Sequence, residues 1–285
     1  MLLVGVVGEG AARGAMLRRL ACLGVRRVEA AADLAWDADR PAIVAVDGGE
    51  AGSFDCAALP QLVIGACGAA SSVATADVWA TAAGADSLFA SRLVPFERNL
   101  RTGQRAPRRQ AAVLVGPDPA WPGQAARLIE RLQAAAGAAA LRIDHVGSTS
   151  VAGLPAKDVV DIQIVVDSLA SARGVADAAR RAGFVRPQGA WFGEDRFGRH
   201  YPEEVAVDAD PGRPANVNVR PADAPVWRDV LRLRDWLRAH EAERDAYLAL
   251  KRSLAGRPDN HVDRYGTDKM PWIRAALARA AEAGA

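Results

Sequence analysis

The sequence predicts two parts of different fold class: an α/β part, then an α+β part whose last third is helical. Short apolar runs alternate with helical segments over residues 1–67, and residues 101–110 are polar, basic and interrupted by Gly and Pro. In the second half, two apolar strands flank a turn-rich loop. A chain of 285 residues suits two domains of roughly 100–200 residues each. We therefore expect domains over residues 1–105 and 106–285.

The first part is expected to form a buried parallel sheet. Short apolar runs between helical segments are typical of strands covered on both faces. Met16, Leu17 and Leu20 have the spacing of an amphipathic helix, and the pattern over residues 75–100 is also helical. The predicted strands are residues 2–8, 25–30, 43–47 and 62–65.

The second part is expected to form a mixed or antiparallel sheet with a helical C-terminal third. Its apolar runs predict strands at residues 113–115, 141–146, 159–166, 204–208 and 215–220. Helical periodicity predicts helices at residues 122–136, 170–182, 224–238, 241–254 and 271–283.

Composition excludes several classes of protein. Half the residues are apolar and a quarter are charged, which excludes a disordered chain, a fibrous repeat and a membrane bundle. A formal net charge of +2 gives no strong nucleic-acid or membrane signal, so any anion site must be local. The N-terminal apolar run ends at Glu9 and predicts a strand, not a signal peptide. Cys22, Cys56 and Cys67 lack metal or disulfide spacing and predict buried thiols in a reducing cytoplasm.

Lysine is rare in this chain. There are 33 arginines but only three lysines, Lys157, Lys251 and Lys269. A GC-rich genome is the simple explanation of the bias, and if composition favours arginine everywhere, the lysines that remain are candidates for positions where a compact ammonium group is needed and a planar guanidinium would not fit.

A glycine-rich segment, residues 8–15, lies between the first strand and the first helix, where a phosphate-binding P-loop would lie. The motif G-x-x-x-x-G-K-[ST] places a glycine, a lysine and a hydroxyl at its end. This chain has Arg13, Gly14 and Ala15 at those positions. The segment therefore predicts a strand-to-helix turn that binds no triphosphate, with weak anion binding at the helix N-terminus left open.

The segment richest in chemical groups is residues 144–163. A strand runs into a Gly-Ser-Thr-Ser loop, whose backbone N–H groups and three hydroxyls suit phosphate oxygens. Asp161 lies on the following strand, and Gln163 projects from the same face two residues later. This geometry allows a metal ligand beside a phosphate loop. The loop residues are Gly147, Ser148, Thr149 and Ser150.

Further polar groups are candidates for ligand binding. Asn216, Asn218 and Arg220 alternate onto one face of a predicted strand. Lys157, in the loop before Asp161, is interpreted as an anion-binding residue, with a solvated surface lysine as the alternative. Lys269 either reaches the same cleft from the C-terminal helices or forms a surface salt bridge.

The first part resembles the kinase half of actinobacterial dephospho-CoA kinases that are fused to a GrpB-type domain. The resemblance rests on the strand, glycine-rich turn and helix, on Ala-Asp-Val-Trp at residues 76–79, and on Val-Pro-Phe-Glu-Arg-Asn-Leu at residues 94–100. It implies a P-loop kinase fold that phosphorylates dephospho-CoA with ATP. The missing lysine and hydroxyl, and a length of about 105 residues, predict a truncated, inactive remnant with a structural or protein-binding role.

Residues 113–281 resemble the GrpB family, which implies the nucleotidyltransferase fold of the DNA polymerase beta type. The family signature is Gly-Ser at one strand end and Asp-x-Asp/Glu on the next strand. The resemblance implies that Gly147 and Ser148 hold nucleotide phosphates and that Asp161 is the catalytic ligand of Mg²⁺. The second acid is Gln163 here, and Asn218 stands where relatives tend to carry histidine. One carboxylate would hold one Mg²⁺ weakly, which does not support two-metal transfer.

Three functions remain open from the sequence. The first is binding of a nucleotide or other phosphorylated small molecule by the second domain, attached to an inactive kinase remnant. The second is a non-catalytic scaffold linked to coenzyme A biosynthesis, which contacts a protein partner through the N-terminal domain. The third is residual dephospho-CoA kinase activity.

Overall fold

The structure is a computed structural model. It describes residues 3–7, 10–23, 26–27, 42–45, 62–66 and 76–284 of the 285-residue chain.

The first part contains a five-stranded sheet whose strands are all parallel, in the order β2-β3-β1-β4-β5. This confirms the α/β prediction and its four strand positions. Val4, Val6, Leu62 and Ile64 are fully buried, as expected of a covered parallel sheet. The elements are β1 (Leu3–Val7), α1 (Gly10–Cys22), β2 (Arg26–Arg27), β3 (Ala42–Ala45), β4 (Leu62–Ala66) and β5 (Val78–Ala80).

The helix expected over residues 75–100 begins later than predicted. Val78–Ala80 instead forms β5, because its β-branched and aromatic residues add to the edge of the sheet beside β4. The Thr81 hydroxyl accepts a hydrogen bond from the Gly84 N–H at 3.3 Å and starts the helical turns. Gly103, with φ of 68°, ends them. The helical elements are α2 (Ala85–Leu88), a π-helical turn (Phe89–Leu93) and α3 (Val94–Thr102).

The second sheet is mixed, in the order β6-β7-β11-β10-β8, with β9 paired to β10. Only β7 and β11 are parallel among its described pairs. The strand expected at residues 113–115 is reduced to one bridge between Val115 and Ala156, and β8 and β9 were not predicted. The strands are β6 (Arg142–Val146), β7 (Val160–Val166), β8 (Phe184–Val185), β9 (Trp191–Glu194), β10 (His200–Asp208) and β11 (Ala215–Pro221).

The predicted helices of the second part are confirmed to within two residues, with an extra short helix, α8. Helices α4 and α5 pack on one face of the second sheet, against alternate residues such as Ile162 and Val217. The opposite face carries the polar residues of the site. The helices are α4 (Trp121–Ala136), α5 (Leu169–Ala178, continued as a 3₁₀ turn), α6 (Val226–Ala239), α7 (Glu241–Ala255), α8 (Val262–Asp268) and α9 (Met270–Glu282).

The two parts share one apolar cluster. Phe96 and Leu100 of α3 belong to the same core as Val205 and Val207 of β10. Because Val207 pairs with Asn216 across the antiparallel ladder, helix α3 covers the same sheet face that carries the polar residues of β11. The boundary between residues 105 and 106 stays a prediction.

One of the three cysteines that were predicted to be buried lies within the described residues. Cys22 is an exposed free thiol, so the prediction of a buried thiol was wrong there, because the cysteine lies on the open side of the last turn of α1. Cys56 and Cys67 lie outside the described residues.

No helix within the described ranges has both the length and the apolar character needed to cross a bilayer.

Candidate anion-binding site

Polar side chains of two parallel strands share one face of the second sheet. Asp161 of β7 lies beside Asn216 of β11, and Gln163 lies beside Asn218. The residues between them point into the core under α4 and α5. Asp161 and Gln163 therefore share a face, as the sequence pattern predicted, and the register brings Asn216 and Asn218 onto that same face.

The Gly-Ser loop lies directly against the Asp161 carboxylate. Gly147 has φ of 69°, and a Cβ atom there would be 2.6 Å from Asp161 Oδ2. Only glycine allows both this backbone conformation and this close approach. After Gly147 the chain turns through a 3₁₀ segment, Ser148–Ser150, and Ser148 lines the same cavity as Asp161.

Two of the three predicted loop hydroxyls face inward. Thr149 is buried, and its Oγ1 lies 2.9 Å from His145 Nε2. Ser150 Oγ donates to the Gly147 carbonyl at 2.6 Å. Burial and the nearby Arg238 lower the pKa of His145 to about 4, so the ring is neutral near pH 7. Thr149 and Ser150 therefore shape the loop, and Ser148 is the hydroxyl that lines the cavity described next.

A polar cavity of about 190 Å³ lies between the loop, the two strands and α8. Five of the predicted site residues meet there, although they are up to 121 positions apart in the chain. The lining residues are Ser148, Lys157, Val159, Asp161, Asn216, Tyr265 and Lys269.

All three lysines of the chain converge on this side of the second part. Lys157 Nζ lies 5.3 Å and Lys269 Nζ lies 4.9 Å from the Tyr265 ring centroid. Lys251 lies behind them, over the Tyr247 ring, and donates to a backbone carbonyl. Burial and the charge of Lys269 lower the pKa of Lys157, and the same two causes lower that of Lys251 to about 7. The lysines therefore form a crowded cationic cluster.

The cavity does not fit a resident Mg²⁺ ion. Asp161 is the one carboxylate among its described lining residues, and its Oδ1 accepts a hydrogen bond from Asn216 Nδ2 at 3.0 Å. Within the described ranges, no three His, Cys, Asp or Glu side chains are grouped so as to hold a metal. Two lysine ammonium groups line the same space. The donor set thus provides fewer hard anionic oxygens than Mg²⁺ requires, together with competing cations.

Besides Gly147, Thr149 and Ser150 of the loop, three predicted ligand-binding residues on the strands lie outside the cavity lining. Gln163 is fully buried and accepts a hydrogen bond from Arg220 Nη1 at 2.9 Å. Arg220 Nε in turn donates to Glu203 Oε2 at 2.7 Å, in a buried ion pair. Asn218, beside Gln163 in the ladder, does not line the cavity either. Strand alternation gives the correct face, but it does not tell where along the strand the cavity ends.

A second cavity, of about 440 Å³, adjoins the first and shares Lys157, Val159 and Asn216 with it. Its outer wall comes from Arg105, Arg108 and the residues that follow them. Sequence reasoning missed this wall because it interpreted residues 101–110 only as a linker. The basic character of that stretch was the available signal.

The glycine-rich segment of the first part does not form an extended loop over its described residues. Strand β1 ends at Val7, and α1 begins at Gly10, so Arg13, Gly14 and Ala15 lie within the helix. Gly8 and Glu9 lie outside the described residues.

Comparison with known proteins identifies relatives for both parts. Residues 111–279 match the GrpB protein family. A dephospho-CoA kinase of Mycolicibacterium paratuberculosis is 40% identical over 234 residues, covering 73% of this chain and 56% of that protein. One from Mycobacterium tuberculosis is 38% identical, covering 73% and 57%. A UPF0157 protein of Halalkalibacterium halodurans is 30% identical over 187 residues, covering 64% and 89%.

A crystal structure of conserved protein GrpB from Enterococcus faecalis is similar at 24% identity and a TM-score of 0.47, covering 59% of this chain and 98% of that chain. This chain spans little more than half the length of the mycobacterial relatives. Their names fit the predicted resemblance to kinase–GrpB fusions. Since the family match takes in more than half of its residues, the chain belongs to the GrpB family.

Proposed function

We propose that this protein binds a phosphorylated small molecule of the nucleotide class, with a phosphate group in the cavity lined by Ser148, Lys157 and Lys269. The observation that carries this proposal is that Lys157 and Lys269, two of only three lysines in an arginine-rich chain, line one small polar cavity, while the third, Lys251, is buried near Lys269.

The electrostatics of the cavity favour an anion. Lys157 and Lys269 are close enough for each charge to oppose the other, and Asp161 offsets only one of them. A phosphate dianion between the two ammonium groups would relieve that repulsion and form charge-assisted hydrogen bonds. The Ser148 hydroxyl supplies a further donor at the rim.

The same charges make Mg²⁺ unnecessary for binding. In this proposal the two ammonium groups neutralise the phosphate, which is the task a metal ion performs in two-metal sites. Asp161, held by the Asn216 amide, accepts a hydrogen bond from a hydroxyl of the ligand. With one carboxylate in the cavity, we propose ligand binding without two-metal nucleotidyl transfer.

The test is a thermal-shift screen, since a ligand that binds only the folded state raises its apparent stability. The panel contains AMP, ADP, ATP, coenzyme A, sugar phosphates and inorganic phosphate, with EDTA or with Mg²⁺. Dephospho-CoA is added because the mycobacterial relatives are named dephospho-CoA kinases. We expect a nucleotide to raise the Tm in EDTA as much as in Mg²⁺.

Lysine variants test whether the ligand-induced rise in Tm comes from binding in this cavity. Lys157→Met and Lys269→Met should each remove most of the shift, because each removes a cation from the cavity lining. The matched control is Arg18→Met, which removes one cation from an exposed position on α1. An equal shift in all three variants, or no shift with any phosphorylated compound, would refute the site.

A further inference from the structure

The second cavity is a preformed part of the fold. The linker backbone that walls it is tied to the second part by the Ala106 N–H, which donates to the Asp208 carbonyl at 2.8 Å. Further along, Asn260 hydrogen-bonds both backbone groups of Ala112, at 3.1 and 2.9 Å. The Val262 N–H also donates to the Gln110 carbonyl at 2.7 Å. The linker is thus a fixed wall on this side of the domain.

The volumes of the two cavities suit different parts of a nucleotide. The lysine-lined cavity, at about 190 Å³, has the volume of roughly six water molecules, so it can hold a phosphate group but not a whole nucleotide. The second cavity, which we call the linker cavity because Arg105, Arg108 and the residues after them wall it, has a volume of about 440 Å³. This volume is within the range of roughly 300–1,000 Å³ that is typical of small-molecule sites. Because they share Lys157 and Asn216, one ligand can occupy both.

The linker cavity carries a surplus of positive charge. Four basic and two acidic residues line it, a difference of +2. Both acids already have arginine partners: Asp208 is 3.2 Å from Arg105, and Asp158 is 2.5 Å from Arg213. Arg108 contacts Asp263 only at the exposed surface. The basic lining residues are Arg105, Arg108, Arg109 and Lys157.

Part of the lining of the same cavity is apolar. Val113, Val115 and Val262 line the cavity together with three prolines. Val113 and Val115 are 42% and 39% exposed, so a ligand can still cover them. An apolar wall beside guanidinium groups suits a flat heteroaromatic ring, which packs on aliphatic carbon and stacks on guanidinium planes.

We infer that the linker cavity binds the nucleoside part of a nucleoside 5′-phosphate whose phosphate occupies the lysine-lined cavity. This inference rests on the proposed function and adds a second subsite, in which the linker itself recognises the base. The linker then serves as part of the binding site in addition to joining the two parts of the chain.

The experiment compares ligands with and without the base. Titration calorimetry of the full chain uses inorganic phosphate, ribose 5-phosphate and the four common ribonucleoside 5′-monophosphates. We expect at least one nucleotide to bind about tenfold or more tightly than ribose 5-phosphate. Bound nucleotide, but not ribose 5-phosphate, should also slow trypsin cleavage after Arg108 and Arg109.

A variant that fills the linker cavity tests whether the base binds there. Val113→Trp should raise the Kd of the tightest nucleotide about tenfold and change that of ribose 5-phosphate less than twofold, because it blocks the linker cavity only. The matched control is Val94→Trp, since Val94 is 44% exposed on α3, outside the cavity.

Three outcomes would count against the inference. If ribose 5-phosphate binds as tightly as every nucleotide, the inference is overturned and the phosphate site stands. If Val113→Trp and Val94→Trp leave nucleotide affinity equally unchanged, the base binds elsewhere. If no phosphorylated compound binds, both the inference and the proposed function fail.

Discussion

Lys251 is a buried lysine whose titration should change the stability of the fold. Its side chain is 1% exposed, and its Nζ donates to the Pro155 carbonyl at 2.5 Å and lies 5.0 Å from the Tyr247 ring centroid. Burial, reinforced by the charge of Lys269, lowers its pKa from 10.5 to about 7. A buried ammonium with no carboxylate among its described contacts should therefore destabilise the fold near neutral pH.

The linkage relation gives the direction and size of this effect. Between about pH 7 and 10.5 the unfolded chain binds the Lys251 proton and the folded chain does not, so the free energy of unfolding rises with pH. The burial penalty is about 4 kcal/mol at pH 7 and about 2 kcal/mol at pH 9. Lys251→Met removes it but leaves the Pro155 carbonyl unpaired, at a cost of about 1 kcal/mol. The variant should exceed the wild type by about 3 kcal/mol at pH 7 and about 1 kcal/mol at pH 9.

Urea unfolding of the ligand-free protein, followed by tryptophan fluorescence at pH 7, 8 and 9, measures this difference. The matched control is Lys251→Arg, which keeps a charge that cannot be lost in this range and should be destabilised at all three pH values. A stability difference between the Met variant and the wild type that does not change with pH would contradict this expectation, since Lys251 would then have an ordinary pKa.

Three other predictions concern the loop and the contact between the two parts. Gly147→Ala should lower the free energy of unfolding by about 1–3 kcal/mol and abolish the nucleotide-induced thermal shift, since the added Cβ meets Asp161; a full shift would contradict the loop geometry. Asp210→Ala should cost about 3–5 kcal/mol in urea unfolding, because it leaves the buried Arg92 cation unpaired, and the added change Arg92→Met should recover most of that loss. Between pH 7 and 4.5, the free energy of unfolding of the wild type should fall by about 2 kcal/mol more than that of His145→Gln, because the folded-state pKa of about 4 lies below the unfolded value of 6.5. Equal losses in both proteins would contradict this.

Local patterns were enough to predict the strands that carry the site. Strands β7 and β11 were predictable because their alternating or continuous apolar residues face α4 and α5. The same alternation placed Asp161 and Gln163 on one face, and the register of β7 with β11 adds Asn216 to that face. The glycine at position 147 marked the loop, and the structure supplies its physical reason in the contact with the carboxylate.

Features that depend on distant contacts were not predictable. Residues 78–80 match a helical pattern, but an available sheet edge beside β4 makes them a strand. The linker residues became a cavity wall only through hydrogen bonds to Asp208 and Asn260, more than 100 positions away. Gln163 and Arg220 satisfy each other in the interior, and strand periodicity does not report such pairing.

The lysines connect composition to function. In a chain that uses arginine almost everywhere, three lysines fall at 157, 251 and 269, and folding brings them to one place. A guanidinium is larger and keeps its charge at any relevant pH, whereas a buried ammonium can give up its proton, as the lowered pKa of Lys251 indicates. Like charges held together oppose folding unless an anion offsets them. The cluster therefore supports the proposed phosphate site, and since its cations stand beside the one carboxylate among the described lining residues, it also supports the proposal that the ligand binds without a metal.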